Sequence, residues 1–302
     1  MLKKISWLLI FGNYFYALCA VALAIESNLQ IGFTLNSGLF YLMLFTGTVV
    51  YYTRAYISEQ YVHSTNPRTL WYSNHRRLVF ATQLILTIVC AIAALLYLWE
   101  IRSDVFHISP WHWVIAALVP LVAAFYYDIP LLGFMHLNLR KTGWMKPFVI
   151  GFVWAGAVTL YPVIFRVTET RSAYIISLLE AWFFLKNWMF ITVLCIMFDI
   201  KDYASDSNLQ LKTFVVQYGL RKTLFFIIIP LTITGLISLQ IFAHINHFPA
   251  LKIAINTIPF IALLVVAYSL HRRKNIVYYL TVIDGLMLLK AVCGILGVEL
   301  VK

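Results

Sequence analysis

Three of the twelve acidic residues of this chain lie within eight positions, in the string FDIKDYASDSNLQLKT. Asp199, Asp202 and Asp206 are three and four residues apart, so all three share one face of a helix that turns about 100° per residue. Carboxylates this close repel one another unless a cation neutralises them. Because oxygen ligands favour a hard cation that also bridges to phosphates, the spacing indicates a Mg²⁺–diphosphate site; a solvated acidic helix end is the alternative.

Other charged and polar residues lie inside long apolar runs, where burial of a charge is costly and a functional role is expected. Glu180 and Asn187 are seven residues apart and share a helical face, which could line a pocket for the ring substituents of an acceptor. The alternative, which we favour, is that such groups hold helices together. In that case Lys186 would pair with Glu180. Lys290 would likewise pair with Asp284.

The composition indicates that these residues belong to a membrane protein. The chain has 302 residues, of which 62% are hydrophobic and 12% are charged, about half the charged share of soluble domains. Its net charge of +11 comes from short basic clusters between apolar runs, which is typical of loops at anionic headgroups and argues against a nucleic-acid partner. The four cysteines form no C-x-x-C pair, so neither a zinc site nor a disulfide framework is indicated.

Nine apolar runs are long enough to cross a membrane, since a spanning helix needs about 20 residues. All nine are predicted to be helices, because an open sheet edge cannot be satisfied in lipid. We therefore predict one all-α transmembrane domain over residues 1–302. The predicted spans are 5–25, 38–58, 78–99, 111–127, 147–165, 174–198, 222–243, 251–270 and 276–297.

The distribution of basic residues predicts the orientation of this bundle. Sixteen of the 23 Lys and Arg residues fall on the side that holds the N-terminus, and five fall on the opposite side. Since basic loops stay in the cytoplasm, the N-terminus is predicted to be cytoplasmic and the C-terminus to lie outside. The aspartates at the end of the sixth span would then face the cytoplasm.

The aspartate-rich string resembles the second aspartate-rich motif of the UbiA superfamily of intramembrane prenyltransferases. There, D-x-x-D-x-x-x-D is followed by K-T, a few apolar residues and a closing glycine. The matching positions are Asp199, Asp202, Asp206, Lys212, Thr213 and Gly219. Gln210 departs from a frequent glycine and Val215 from a frequent proline. The stretch YYDIPLLGFMHLNLRKTGWMKPFVIGFVWA resembles the family's fourth-to-fifth helix region at Tyr127, Pro130, Lys146 and Trp154.

The family's first aspartate-rich motif is rewritten in this chain. Members carry N-D-x-x-D-x-x-x-D at the cytoplasmic end of the second helix, where this sequence reads VVYYTRAYISEQYVHSTNPRTLWYSNHRR. Aligned on Asn66–Pro67, Glu59 and His63 occupy the two later acidic positions, and no aspartate remains. We hypothesise that an arginine supplies the missing positive charge at the diphosphate. The candidates are Arg54, Arg68, Arg76 and Arg77.

The resemblance implies a nine-helix UbiA-type bundle that moves an isoprenoid chain from an allylic diphosphate to a lipophilic acceptor, expected to be aromatic. Mg²⁺ would be held by the three aspartates. The implied diphosphate contacts are Lys212, Lys146, Arg68 and Arg54, and the implied pocket residues are Tyr127, Asn187 and Glu59. The ring of Tyr127 could stabilise a carbocation, although interfacial aromatic belts explain its position as well.

The same resemblance implies the partners and the location. An isoprenoid diphosphate, an acceptor and membrane lipid are the expected partners, without nucleic acid or a protein partner. A divergent bacterial branch of the family is indicated, which implies the inner membrane. Two alternatives remain open: a UbiA-type terpene cyclase, which shares the ionisation step but uses no acceptor, and a non-catalytic membrane protein that binds a prenyl lipid or a diphosphate.

Overall fold

The computed structural model describes residues 2–58, 66–103, 109–126, 142–171, 174 and 177–301, and over these ranges the chain is a bundle of helices without strands. A helix overlaps each of the nine predicted spans. The helices are α1 (Leu2–Phe11), α2 (Tyr14–Ile31), α3 (Gly38–Ser58), α4 (Pro67–Asn74), α5 (Arg76–Glu100), α6 (Pro110–Tyr126), α7 (Lys146–Thr170), α8 (Leu178–Asn208), α9 (Phe214–Ile245), α10 (Ala250–Ser269) and α11 (Ile276–Glu299).

Seven of these helices, α2, α5 and α7 to α11, are long and apolar enough to cross a membrane. Among the described residues, α3 and the shorter α6 fall outside that set. The all-α membrane class is therefore confirmed, whereas nine crossings and a single domain stay predictions.

α2 and α8 both continue well past the C-terminal ends of their predicted spans. α2 continues to Ile31 instead of ending at residue 25, and Gly32 ends it with a φ of 85°, a conformation that glycine adopts without steric cost. α8 continues to Asn208 instead of ending at residue 198. As a result, Glu26 lies on a buried helix, and the three aspartates lie on the last turns of α8 as their spacing predicts.

Three helices contain one widened π turn each. These turns are Gly156–Leu160 in α7, Leu224–Ile228 in α9 and Tyr279–Ile283 in α11. Pro162 and Pro230 follow the first two, and the residue four positions before each proline lies within the wide turn. Because proline lacks an N–H and clashes with that carbonyl, a wider turn accommodates it. No proline follows the third turn, which comes directly before Asp284.

The core of the bundle lies between α2, α7, α8 and α11, where residues such as Leu23, Trp154, Ile196 and Ile283 are buried. α5 lies on the outside and presents large apolar side chains outward, with Leu95 66% exposed. Such a surface is compatible with lipid and not with water.

Candidate active site

Six charged side chains meet in a cavity of about 240 Å³ at one end of the structure. α2, α7 and α11 begin at this end, and α3 and α8 end there. The distribution of basic residues predicts that this end is cytoplasmic. We call it the polar cavity. Its charged lining residues are Asp199, Asp202, Asp284, Arg68, Lys146 and Lys201.

Asp199 forms the buried centre of the charged wall. Its side chain is 2% exposed, and its Oδ1 accepts a hydrogen bond from Lys146 Nζ at 3.0 Å. Lys146 is the first residue of α7, so its charge stands at the positive end of that helix and needs a neighbouring carboxylate. Asp199 Oδ2 is buried and has no hydrogen-bond partner, which leaves it available to a cation.

The other two aspartates of the motif differ in position. Asp202 lines the polar cavity, and its carboxylate lies 3.0 Å from Lys201 Nζ. Asp206 is buried and its Oδ2 lacks a partner, but it is not among the residues that line the polar cavity. A rise of about 1.5 Å per residue puts it roughly 10 Å beyond Asp199 along α8. The three aspartates therefore do not converge on one point.

The aspartates of the polar cavity provide only part of the ligand set that Mg²⁺ needs. Within the described ranges, no three His, Cys, Asp or Glu residues lie close enough together to hold a metal ion by themselves. Mg²⁺ is usually bound through one or two carboxylates together with substrate phosphates. Asp199, with its free oxygen, and Asp202 suit such a shared site, whereas a cage of three aspartates is not preformed. Mg²⁺ binding stays a prediction.

Arg68 enters the polar cavity from α4 and is held by the start of the chain. Its Nη2 donates to the side-chain oxygen of Asn13 and, at 3.3 Å, to the carbonyl of Phe11. The guanidinium lies 4.5 Å from the centre of the Tyr56 ring, a cation–π contact. Its Nε is buried and has no partner. The structure thus brings together two of the predicted diphosphate residues, Arg68 and Lys146, while Arg76 and Arg77 are exposed at the start of α5.

Two other predicted diphosphate residues lie outside this cavity. Lys212 and Arg54 are exposed and are not among its lining residues. Lys212 precedes Thr213, whose hydroxyl accepts from Val216 N and caps α9. Gly219 then interrupts α9 with a φ of 77°, so the closing glycine of the motif has a conformational reason. This part of the motif shapes the turn after the aspartates.

The predicted pocket residues are not brought together either. Asn187 donates to Thr159 Oγ1 at 2.7 Å, which joins α8 to α7, and it lines neither this cavity nor the apolar one described below. That contact agrees with the helix-joining alternative. Tyr127 and Glu59, together with His63, lie outside the described residues.

Among the described residues, the structure contains neither of the two ion pairs predicted inside the bundle, Lys290–Asp284 and Lys186–Glu180. Lys290 donates to the two carboxylate oxygens of Glu26 at 2.9 and 2.7 Å, rather than to Asp284. Glu180 caps α8 through Ser177, and Lys186 lies 4.3 Å from the centre of the Phe183 ring. The partner of Lys290 is 264 positions away in sequence, so helix spacing could not identify it.

Asp284 is the site residue that the sequence did not identify. It is 1% exposed, lines the polar cavity and has a partnerless Oδ1. The π turn before it adds one residue to that turn of α11 and so changes where the following side chains point. The sequence signal was an acid in an apolar run, which fitted an ion pair equally well.

A second cavity, almost wholly apolar, adjoins the first. It has a volume of about 430 Å³ and is lined by residues of α2, α3, α6 and α7, including Ala20, Gly47, Trp154 and Phe165. Tyr52 lines both cavities, and its hydroxyl accepts a hydrogen bond from the Trp154 indole. We call this the apolar cavity. A charged compartment thus meets an apolar one at Tyr52.

Comparison with known proteins establishes the fold. No family model matches the sequence, and no curated protein matches it significantly. The structure is similar to that of a digeranylgeranylglyceryl phosphate synthase in membranes, with a TM-score of 0.55 and 16% sequence identity over 99% of each chain. That protein is a UbiA-superfamily prenyltransferase, so the predicted resemblance is confirmed at the level of the fold.

Proposed function

We propose that this protein is an intramembrane prenyltransferase that moves an isoprenoid chain from an allylic diphosphate to a lipophilic acceptor. The observation that carries the proposal is the junction at Tyr52 between the polar cavity and the apolar cavity. An allylic diphosphate has the same division, because a charged head group is joined to a hydrocarbon chain. The fold shared with a prenyltransferase supports the assignment.

The polar cavity would hold the diphosphate between its carboxylates and its cations. Lys146 and Lys201 lie beside Asp199 and Asp202, so these lysines would supply positive charge to a leaving diphosphate. When bound at Asp199 and Asp202, Mg²⁺ supplies neutralisation of the charge that develops on the leaving oxygens. Lys146 would then exchange part of its contact with Asp199 for a phosphate oxygen.

The apolar cavity would hold the chain and exclude water from its reactive carbon. The Tyr16 ring lies 4.7 Å from the Tyr52 ring and 5.0 Å from the Trp154 ring, in edge-on contacts at the junction. Aromatic faces can stabilise a carbocation that forms beside them, and a dry wall keeps water from capturing it. The acceptor would attack this cation, and the proton that it loses would pass to the released pyrophosphate. The aspartates would face the cytoplasm, in a bacterial inner membrane.

Pyrophosphate release tests the proposal directly. Purified protein in detergent is given Mg²⁺ and geranyl, farnesyl or geranylgeranyl diphosphate, with membrane-lipid extract as the source of acceptors. We expect release from the wild type and loss of release in Asp202→Asn. Mass spectrometry of the product separates transfer to an acceptor from cyclisation of the isoprenoid alone. A cyclase would also release pyrophosphate when the extract is left out. If the folded protein binds a diphosphate but releases no pyrophosphate, its function is that of a binding protein and not of an enzyme.

A further inference from the structure

The segment before α7 touches the turn that follows the aspartates, with backbone against backbone. Gly143 is buried, and a Cβ placed on it would lie 2.6 Å from the carbonyl carbon of Lys212 and 2.6 Å from the backbone nitrogen of Thr213. Backbone atoms cannot turn aside as the end of a long side chain can, so a residue with a side chain could not occupy this position without a shift. Glycine therefore allows the segment and the turn to meet.

The turn on one side of this contact is held by its own hydrogen bonds. Leu211 N donates to the Asp206 carbonyl at 2.9 Å, which ties the turn to the end of α8. Thr213 is fully buried; its N donates to the Leu211 carbonyl at 2.9 Å, and its Oγ1 accepts from Val216 N at 3.4 Å. Because these groups are engaged, the turn cannot withdraw from an added side chain without losing hydrogen bonds.

The segment on the other side continues directly into α7. Met145 N donates to the Thr142 carbonyl at 3.0 Å, and Val149 N donates to the Met145 carbonyl at 3.1 Å, so a hydrogen-bonded turn joins the segment to the helix. Lys146 follows three positions after Gly143. A shift at Gly143 would therefore be passed to the backbone that carries Lys146.

The first turn of α7 packs on the same two helices that flank the turn after the aspartates. Trp188 Nε1, from α8, donates to the Phe148 carbonyl at 2.8 Å, and the Phe148 ring lies 6.1 Å from the Phe214 ring at the start of α9. From this position Lys146 Nζ reaches Asp199 Oδ1 at 3.0 Å. Because hydrogen bonds are short, a displacement of about 1 Å would break this one.

We infer that Gly143 is a positioning residue for Lys146: its close contact with the Lys212–Thr213 turn sets where α7 begins and so holds the ammonium beside Asp199. The contact uses backbone atoms of Lys212, so the turn acts through its shape. Gly143 itself lines neither the polar cavity nor the apolar cavity. The inference rests on the proposed function only in the diphosphate contact that Lys146 would make.

Amine labelling tests the inference without a ligand. Full-length protein in detergent is acetylated briefly with a water-soluble reactive ester, and mass spectrometry gives the labelling of Lys146 relative to the exposed Lys222. In Gly143→Ala we expect Lys146 to be labelled about fivefold faster than in the wild type, the factor that corresponds to loss of a partly exposed ion pair. The matched control is Gly297→Ala, whose Cβ would also meet a neighbour at 2.6 Å, Asn256 Nδ2, but at the opposite end of α11 from the polar cavity. It should leave the labelling of Lys146 unchanged.

A second pair of variants decides the question if Gly143→Ala does not fold. Thr213→Val removes the hydroxyl that caps α9 and loosens the turn, so it should also speed the labelling of Lys146. Thr213→Ser keeps the hydroxyl and should label like the wild type. Labelling at the wild-type rate in a folded Gly143→Ala, or in Thr213→Val where only that variant folds, would overturn the inference.

Binding of farnesyl diphosphate separates positioning from general damage. Gly143→Ala should weaken binding about fivefold in the wild-type background, but by less than about twofold in Lys146→Met, where the positioned group is already absent. Equal losses in the two backgrounds would show that Gly143 acts independently of Lys146, and the inference would be wrong. The proposed function fails separately, through absence of pyrophosphate release, because amine labelling involves neither diphosphate nor turnover.

Discussion

Lys146 and Asp199, 3.0 Å apart, connect the first turn of α7 to the end of α8. The pair is nearly enclosed, with side chains that are 22% and 2% exposed. One carboxylate oxygen is occupied and the other is free, so Asp199 can keep its lysine while it receives a cation. This arrangement makes Asp199 the aspartate of the motif on which a metal–diphosphate ligand would depend most.

Replacement of Asp199 should therefore cost more than replacement of Asp206. Asp199→Asn removes the charge that faces both Lys146 and the proposed ligand, and we expect pyrophosphate release to fall by about 100-fold or more. Asp206→Asn should cause a smaller loss, because Asp206 does not line the polar cavity. Initial rates at saturating Mg²⁺ measure both. Equal losses would mean that the three aspartates act as one cluster when the ligand is bound.

Two lysines that the resemblance implies as diphosphate contacts should differ in their effect on diphosphate binding. Lys146 lines the polar cavity, whereas Lys212 is exposed outside it. Lys146→Met should weaken the binding of farnesyl diphosphate by about tenfold or more, which corresponds to loss of one charge-assisted hydrogen bond. Lys212→Met should change it less. A larger effect at Lys212 would show that the turn after α8 closes over the ligand.

The buried pair of Lys290 and Glu26 should be important for stability. Lys290→Met leaves a carboxylate buried without its cation, and breaking a buried pair costs about 3–5 kcal/mol. The double variant Glu26→Met/Lys290→Met should lose less, because no uncompensated charge remains. Unfolding in detergent, followed by circular dichroism, gives the comparison. Lys201→Met is the control, since its pair with Asp202 is partly exposed and worth about 1 kcal/mol at most.

The apolar cavity should determine which chain lengths are used. Gly47 lines it from α3, and a Cβ placed there meets only Cys90 Sγ at 3.9 Å, so a larger side chain can extend into the space. Gly47→Leu should shift kcat/KM toward geranyl and away from geranylgeranyl diphosphate by about tenfold. Leu95→Phe, which adds volume on the outer surface of α5, should not shift it. If Gly47→Leu leaves the ratio of kcat/KM for the two diphosphates unchanged, the isoprenoid chain binds outside the apolar cavity.

The sequence predicted those features that depend on local spacing. In the structure, Asp199 and Asp202 share one face of α8, as their spacing predicts. The helices that carry Arg68 and Lys146 also meet at one end of the bundle, as predicted. These predictions needed only helix periodicity, hydrophobic length and the alternation of spans across a membrane.

Features that depend on contacts between distant helices could not be predicted in this way. Asp284 and Lys290 are both charges in one apolar run, yet one faces the cavity and the other pairs with Glu26. Periodicity shows that two residues lie on different faces, but it does not show what each face meets. Gly294 is part of the reason, because any side chain there would meet Glu26 within 2.5 Å and separate α2 from α11.

The polar cavity joins distant parts of the chain, since Asn13 and Tyr16 lie at the start of α2 and Asp284 lies on α11. During synthesis, the N-terminal wall and the aspartates of α8 emerge long before α11. Until that last helix is inserted, Glu26 has no cation and the cavity lacks one of its walls. α11 therefore both completes the binding site and supplies the cation that neutralises Glu26, so the site and the buried ion pair depend on the same helix contact.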